Sequence, residues 1–292
     1  MTVLGITLPA LMGQILLGLI NGSFYALLSL GLTIIFGLLR IINFTQGAFY
    51  MLGAFVGWLL LNHLGVGYWA SLLIAPLVVG AAGAVAERLF LRHLYKLDHL
   101  YSFLFTFGMT LFIEGLFITH FGSSGKPYPN PMPGGMNLGF MYLPYYRAWV
   151  VMSSLVLCGL TWWLIERTKL GSYLRAAVER PELVQAFGIN VPRMITLTYG
   201  LGVGLAALAG VMAAPVYQVG PLMGSNIMIV VFAVVVIGGM GSIMGSVICG
   251  FALGLLEGLT KAFYPEASST VIFVLMTVVL MIRPVGLFGR AV

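Results

Sequence analysis

Apolar runs long enough to cross a lipid bilayer recur from one end of this 292-residue chain to the other. Residues 68–86, 101–118, 148–165 and 194–216 are the clearest, and about 20 apolar residues are what a helix needs to span the hydrocarbon. Such stretches cannot all be buried in one water-soluble core, because too little polar surface would remain to cover them. The composition agrees, at 60% hydrophobic and 8% charged, against about 45–50% and about 25% in soluble domains. The alternating ten-residue segments of a β-barrel are not seen. The fold class is therefore all-α, a polytopic membrane protein of about eight transmembrane helices, some discontinuous, with no soluble domain.

Residues 1–12 carry no basic stretch and lead into a run of spanning length, so no cleavable signal peptide is expected. The net charge of +6 is read as basic cytoplasmic loops and not as a nucleic-acid surface. Cys158 and Cys249 lie inside apolar segments with no CxxC or His neighbour, which makes them small core residues and leaves no metal site to expect.

Lys and Arg mark the cytoplasmic side. Arg88, Arg92 and Lys96 form one basic cluster; Arg167, Lys169, Arg175, Arg180 and Arg193 a second; Arg283 and Arg290 a third. Residues 121–146 hold one Lys, many Pro and Gly, and aromatics toward their end, and read as a periplasmic loop. Spans then run inward over 68–87, outward over 101–120, inward over 147–165 and outward over 194–216. Residues 226–240 go in, "GGMGS" (238–242) turns, 243–260 comes out and 269–283 goes in. The 226–240 span is short, so one of that pair is expected to be broken or half-crossing. Residues 9–39 form one long tilted helix or two pieces broken near Gly31. Arg40 stays inside and 46–62 returns outward. The chain lacks GxxxxGK[ST] and does not hydrolyse ATP itself.

Polar residues inside the membrane need partners or a water-filled face. Asn43, Thr45 and Gln46 follow Arg40 between two apolar stretches, with Gly47, Gly53 and Gly57 beyond. They line a cavity at a broken helix, or make an ordinary interfacial turn. Asn21, Ser23 and Tyr25 line a cavity or hydrogen-bond between helices. Glu114 shares a helix face with Thr106 and Thr110, and Glu257 one with Cys249 and Leu253. Each Glu contacts substrate or senses protons, or else sits solvated at a boundary; both are read as lacking a basic partner within one turn. Gly245, Gly250, Gly254 and Gly258 make a small-residue stripe for close helix packing. "GAFYMLGAFVGWLL" and "GSVICGFALGLLEGL" share its rhythm, a hint of an internal repeat.

Against this background eight charged residues, from Glu166 to Arg193, crowd into positions 166–193. The pattern is still helical. Pro181 suits the first turn of a helix, Glu182 its positive end, and Gly188 the stop. Ser172 is the expected cap of a preceding short helix. Two short helices are predicted, the second exposing small and apolar residues. Such a helix docks into a groove on a partner or lies on the membrane surface among anionic lipids.

"AAVERPELVQAFGINVPRM" resembles the loop that ABC-importer permeases insert into their ATPases. "NGSFYALLSLGLTIIFGLLRIINFTQGAFYMLGAF", "TKLGSYLRAAVERPELVQAFGINVPRMITLTYGLGVGLAALAG", "GGMGSIMGSVICGFALGLLE" and "IRPVGLFG" together resemble the LivH-type permeases of branched-chain amino acid ABC importers. The resemblance implies one permease domain over 1–292, with a coupling loop at about 167–193 holding Arg175, Ala177, Pro181, Glu182, Ala186, Phe187 and Gly188. It implies a bacterial inner-membrane subunit that pairs with a LivM-like permease and two LivG/LivF-like ATPases. A periplasmic binding protein delivers a branched-chain or related small amino acid. No cofactor belongs to this chain; ATP and Mg2+ belong to the ATPases. Asn21, Tyr25, Asn43, Thr45, Gln46 and Glu114 are the pathway residues to test. The segment "SNIMIVVFAVVVIGGMG" lacks an Ala-Phe pair found in leucine-type members, so the class of cargo is implied and not the individual amino acid. The competing classes are a stand-alone proton-coupled transporter and a membrane enzyme; the second would need convergent His, Asp or Cys groups, whereas His63, His93, His99 and His120 are scattered at span ends.

Overall fold

The computed structural model describes the chain apart from residues 1, 4, 5, 40, 42, 96, 140, 180 and 290–292, and apart from the side chains of 2, 3, 6, 38, 39, 99, 170, 178, 179 and 181. Arg40, Lys96, Arg180 and Arg290, used above for topology, thus lie outside the described residues. The helices are α1 (Leu8–Leu39), α2 (Thr45–Leu64), α3 (Tyr68–Ala86), α4 (Arg92–Leu94), α5 (His99–Phe121), α6 (Tyr145–Arg167), α7 (Lys169–Glu179), α8 (Pro181–Ala186), α9 (Val191–Ala213), α10 (Met223–Gly238), α11 (Ile243–Phe263) and α12 (Val271–Ile282). A π-helical turn, Glu87–Leu91, joins α3 to α4. Among the described residues seven helices are long and apolar enough to cross a membrane, and α10 and α12 are shorter apolar helices. The chain is a polytopic helical membrane protein. The region 9–39 is one uninterrupted helix with no break at Gly31.

Strands are minor: β1 (Thr2–Val3) pairs antiparallel with β2 (Ile6–Thr7), and β3 (Gly135–Asn137) with β4 (Tyr142–Pro144). By internal contacts the chain forms two compact units. The first holds Met1–Ser29, Pro129–Cys158 and Ile229–Val292; the second holds Leu30–Tyr128 and Gly159–Met228.

In the first unit α1 and α11 meet backbone to backbone. A Cβ added at Gly254 would lie 2.4 Å from Gly22 Cα, and one at Gly258 would lie 2.4 Å from the Gln14 carbonyl oxygen. Hydrocarbon offers no hydrophobic drive between helices, so dispersion contacts of this kind hold them together. The "GGMGS" turn is present between α10 and α11: Gly239 (φ 97°) and Gly241 (φ 92°) take the left-handed region, which glycine occupies without cost. Ser242 then caps α11 by accepting from the Gly245 N–H at 3.2 Å.

In the second unit α9 is the central helix, packed against α2 and α3. Glycines again bring main chains together: a Cβ at Gly53 would lie 2.1 Å from the Ala207 carbonyl oxygen, and one at Gly80 would lie 2.9 Å from that of Gly200. The wide faces of α3 and α5 turned away from this seam stay exposed and apolar, as at Leu73, Leu77, Leu111 and Phe112. Exposed apolar faces of this kind are suited to contact with lipid.

Candidate functional site

The charged interruption folds as two short helices between α6 and α9, all in the second unit. The chain reverses tightly after α6, where a Cβ at Gly171 would fall 1.6 Å from the Ile165 carbonyl oxygen. α7 begins at Lys169, ahead of Ser172. The expectation that Ser172 caps α7 is corrected: it lies inside the helix, its hydroxyl donating to the Thr168 carbonyl at 3.4 Å. Arg175 fastens the reversal, donating from Nη1 to Glu166 Oε2 at 2.9 Å and to the Ile165 carbonyl at 3.2 Å.

α8 spans Pro181–Ala186 and has two unlike faces. Val184 points inward and packs with Ala177 of α7 and Val191 of α9, with Ile189 and Ile195 beside them. Glu182, Leu183, Ala186 and Phe187 point outward; Leu183 is 50% and Phe187 83% exposed. Gly188, at φ 78°, closes the helix in a left-handed turn. Its N–H donates to the Gln185 carbonyl at 2.9 Å, and the Ile189 N–H to the Val184 carbonyl at 3.4 Å. Those paired bonds, with Ile189 packed near Val184, make a Schellman stop. Asn190 then caps α9 by accepting from the Arg193 N–H at 3.1 Å. A six-residue helix is marginal alone. Here it is held at its carboxy-terminal end and underneath, and its apolar tip is left outside. Beside it Gln185, Gly188, Ile189, Asn190 and Pro192 line a cleft of about 350 Å3. Of the residues assigned to coupling, Ala177 is buried and serves the inner face. For Pro181 the described feature is its place at the start of α8.

The polar residues assigned to a pathway fall into separate clusters. Asn43, Thr45 and Gln46 are buried at the start of α2. Asn43 donates from Nδ2 to the Tyr199 hydroxyl at 3.0 Å and accepts the Thr45 N–H at 3.2 Å. The Thr45 hydroxyl donates to the Thr106 carbonyl at 2.9 Å, and Gln46 Nε2 to the Gly202 carbonyl at 3.0 Å. These bonds tie α2 to α5 and α9. Glu114, buried on α5, accepts from the Ser225 hydroxyl of α10.

In the first unit Asn21 is half-buried on α1, one turn before Tyr25. Tyr25 donates to Glu257 Oε2 at 2.6 Å. Glu257 also has a basic partner, which corrects the expectation that it has none: Lys261, four residues on, places Nζ 2.7 Å from Oε1. The Tyr25–Glu257 bond links α1 to α11 across their glycine seam. Tyr25→Phe is expected to cost about 1 kcal/mol, read as a lower midpoint of heat unfolding in detergent, whereas Lys261→Met, at the half-exposed end of the pair, should cost less. Equal midpoints for Tyr25→Phe and the unaltered protein would count against that bond.

One buried carboxylate went unnoticed in the sequence. Glu87, in the π-helical turn, accepts from the Thr196 hydroxyl at 2.6 Å and the Tyr95 hydroxyl at 2.8 Å. Burial and then the adjacent Glu87 carboxylate hold the Tyr95 phenol above its ordinary pKa, so it stays a donor. The only sequence signal was an acid beginning an Arg-rich segment.

Helices long and apolar enough to cross a membrane, packed through glycine within each unit, and a short helix with an exposed apolar tip describe a multi-pass membrane protein. Residues 14–280 match the family model described as "Branched-chain amino acid transport system / permease component", and the chain belongs to that family. It is 32% identical to the high-affinity branched-chain amino acid transport system permease protein BraD of Pseudomonas aeruginosa, over 95% of each chain. It is 31% identical to LivH of Escherichia coli, again over 95% of each. LivM of Escherichia coli is 27% identical, over 90% of this chain and 67% of that protein. No solved structure matches the chain.

Proposed function

We propose that this chain forms half of the translocation pathway of an ATP-driven importer for branched-chain or related small amino acids in a bacterial inner membrane. The observation that carries the reading is α8, a short helix fixed from beneath by Val184 and presenting Glu182, Leu183, Ala186 and Phe187 outward. An apolar tip of this kind suits a groove on a partner. In the importer the partner is a cytoplasmic ATPase, one of two, which bind ATP and Mg2+ and drive the cycle by moving α8. Similarity to both LivH and LivM fits two related permease halves, so the other half is a LivM-like chain. A periplasmic binding protein supplies the amino acid. Asn43, Gln46 and Tyr199 sit where two helices meet α9, and they act by setting its position.

Mild-detergent purification of the tagged protein from its native membrane should bring two ATPases and a second, related permease. Proteoliposomes of that complex should take up amino acid only with ATP inside and the binding protein outside. Uptake should persist in Glu114→Gln and Glu257→Gln with the proton gradient collapsed. A homo-oligomer recovered without an ATPase, whose uptake follows the gradient and is lost in those variants, would replace the importer with a proton-coupled carrier.

A further inference from the structure

Two spans of the second unit, Tyr68–Leu94 and Val191–Ala213, bring three guanidiniums to one cavity. Arg88 and Arg92 stand one turn apart in the π-helical turn and α4, and Arg193 stands in the first turn of α9. With Asn190, Pro192, Thr196 and Leu197 they line an open cavity of about 560 Å3. The neighbouring acid forms no ion pair with them among the described residues. Glu87 is buried, and its two oxygens are taken by the Tyr95 and Thr196 hydroxyls. Among the described residues none of the three arginines is in an ion pair.

Guanidinium groups carry their donors in a fork that matches phosphate oxygens, and they remain charged at any relevant pH. The amino-terminal end of α9 adds its own positive partial charge. The surroundings say which phosphate. Leu89 and Phe90 on one span and Leu197 on the other are exposed, Leu197 at 72%, and all three lie at span ends, within reach of the hydrocarbon. A soluble anion gains nothing from such neighbours. A lipid uses both, and basic pockets between helix ends are suited to anionic headgroups. We propose that the Arg88–Arg92–Arg193 cavity binds the phosphate of an anionic phospholipid, whose acyl chains lie along Leu197, Leu89 and Phe90.

The proposal needs only the two spans and stands apart from the importer reading. It is tested on the full chain, with whatever subunits purify with it, by native mass spectrometry of retained phospholipid. Heat unfolding with added phosphatidylglycerol, phosphatidylcholine or inorganic phosphate gives a second readout. Phosphatidylglycerol should be retained in preference to phosphatidylcholine and should raise the midpoint. Replacing all three arginines by glutamine should weaken its binding at least about tenfold. The triple lysine variant should retain much of the preference, and Arg193→Gln alone should lose part of it; these two serve where the triple glutamine variant does not fold. Equal retention of the two lipids, or equal phosphatidylglycerol binding by the glutamine variants, would overturn the proposal. Inorganic phosphate stabilising as well as the lipid would assign the cavity to a soluble anion instead. Loss of a protein subunit from the glutamine variants with lipid retention unchanged would assign it to an acidic partner surface.

Discussion

Gly210→Leu is expected to abolish accumulation of folded protein. A Cβ at this position would lie 1.9 Å from the Tyr50 carbonyl oxygen and 2.9 Å from its carbon. Both atoms are main chain of α2, so no side chain can turn aside. The helices would have to separate along a seam where Gly53 meets Ala207 equally closely. Overpacking of this kind costs about 3 kcal/mol or more, a large share of the stability of a typical domain. The measure is the monodisperse fraction after detergent extraction. Gly115→Ala is the matched control: nothing lies within 4 Å of its Cβ position, and alanine favours helix over glycine by up to about 1 kcal/mol. Normal recovery of Gly210→Leu would show that α2 and α9 are not in contact as described.

The second large effect concerns α8. Leu183→Ala with Phe187→Ala should leave the permease as stable as before, because both side chains are exposed and contribute little to its own core. Uptake should nevertheless collapse. Apolar anchors at a protein interface are worth about 2 kcal/mol or more when truncated, which weakens docking about thirtyfold. ATPase recovered with the tagged chain should fall in step. Val184→Ala should act in the opposite order: it empties the contact with Ala177 and Val191 and lowers stability first. If the double variant transports normally with its ATPases attached, α8 is not the coupling element.

Much of this was legible in the sequence because membranes impose simple demands. Span-length apolar runs, the short 226–240 segment and the glycine turn before α11 all appear close to where hydropathy and turn chemistry put them. α8 was legible from Pro181, Glu182 and Gly188, since the stop of a helix is a local matter. Glycine in α1 left two readings open, and the structure takes the single long helix. Gly31 was read as a possible break, yet α1 continues through it. A Cβ there would lie 2.6 Å from both Gln46 Nε2 and the Gly202 carbonyl oxygen, so its missing side chain answers to a neighbour 171 positions away in the chain. Tyr199 beside Asn43, Thr196 beside Glu87 and Ser225 beside Glu114 were hidden for the same reason: each partnership exists only once distant helices have packed. Lys261 was different. Its spacing from Glu257 is one helical turn, and the pair could have been found by reading four residues further.

The way α8 is mounted has a mechanical consequence. Its inner face is clamped to the foot of α9, and α9 in turn touches α2 and α3 through glycine, main chain against main chain. Linkages built on long side chains have backlash, because rotamers can give before the backbone does. The contacts of α9 with α2 and α3 have almost none. In the importer proposed above, a displacement that the Val184–Val191 packing hands to α9 would pass on to α2 and α3 with little lost between them.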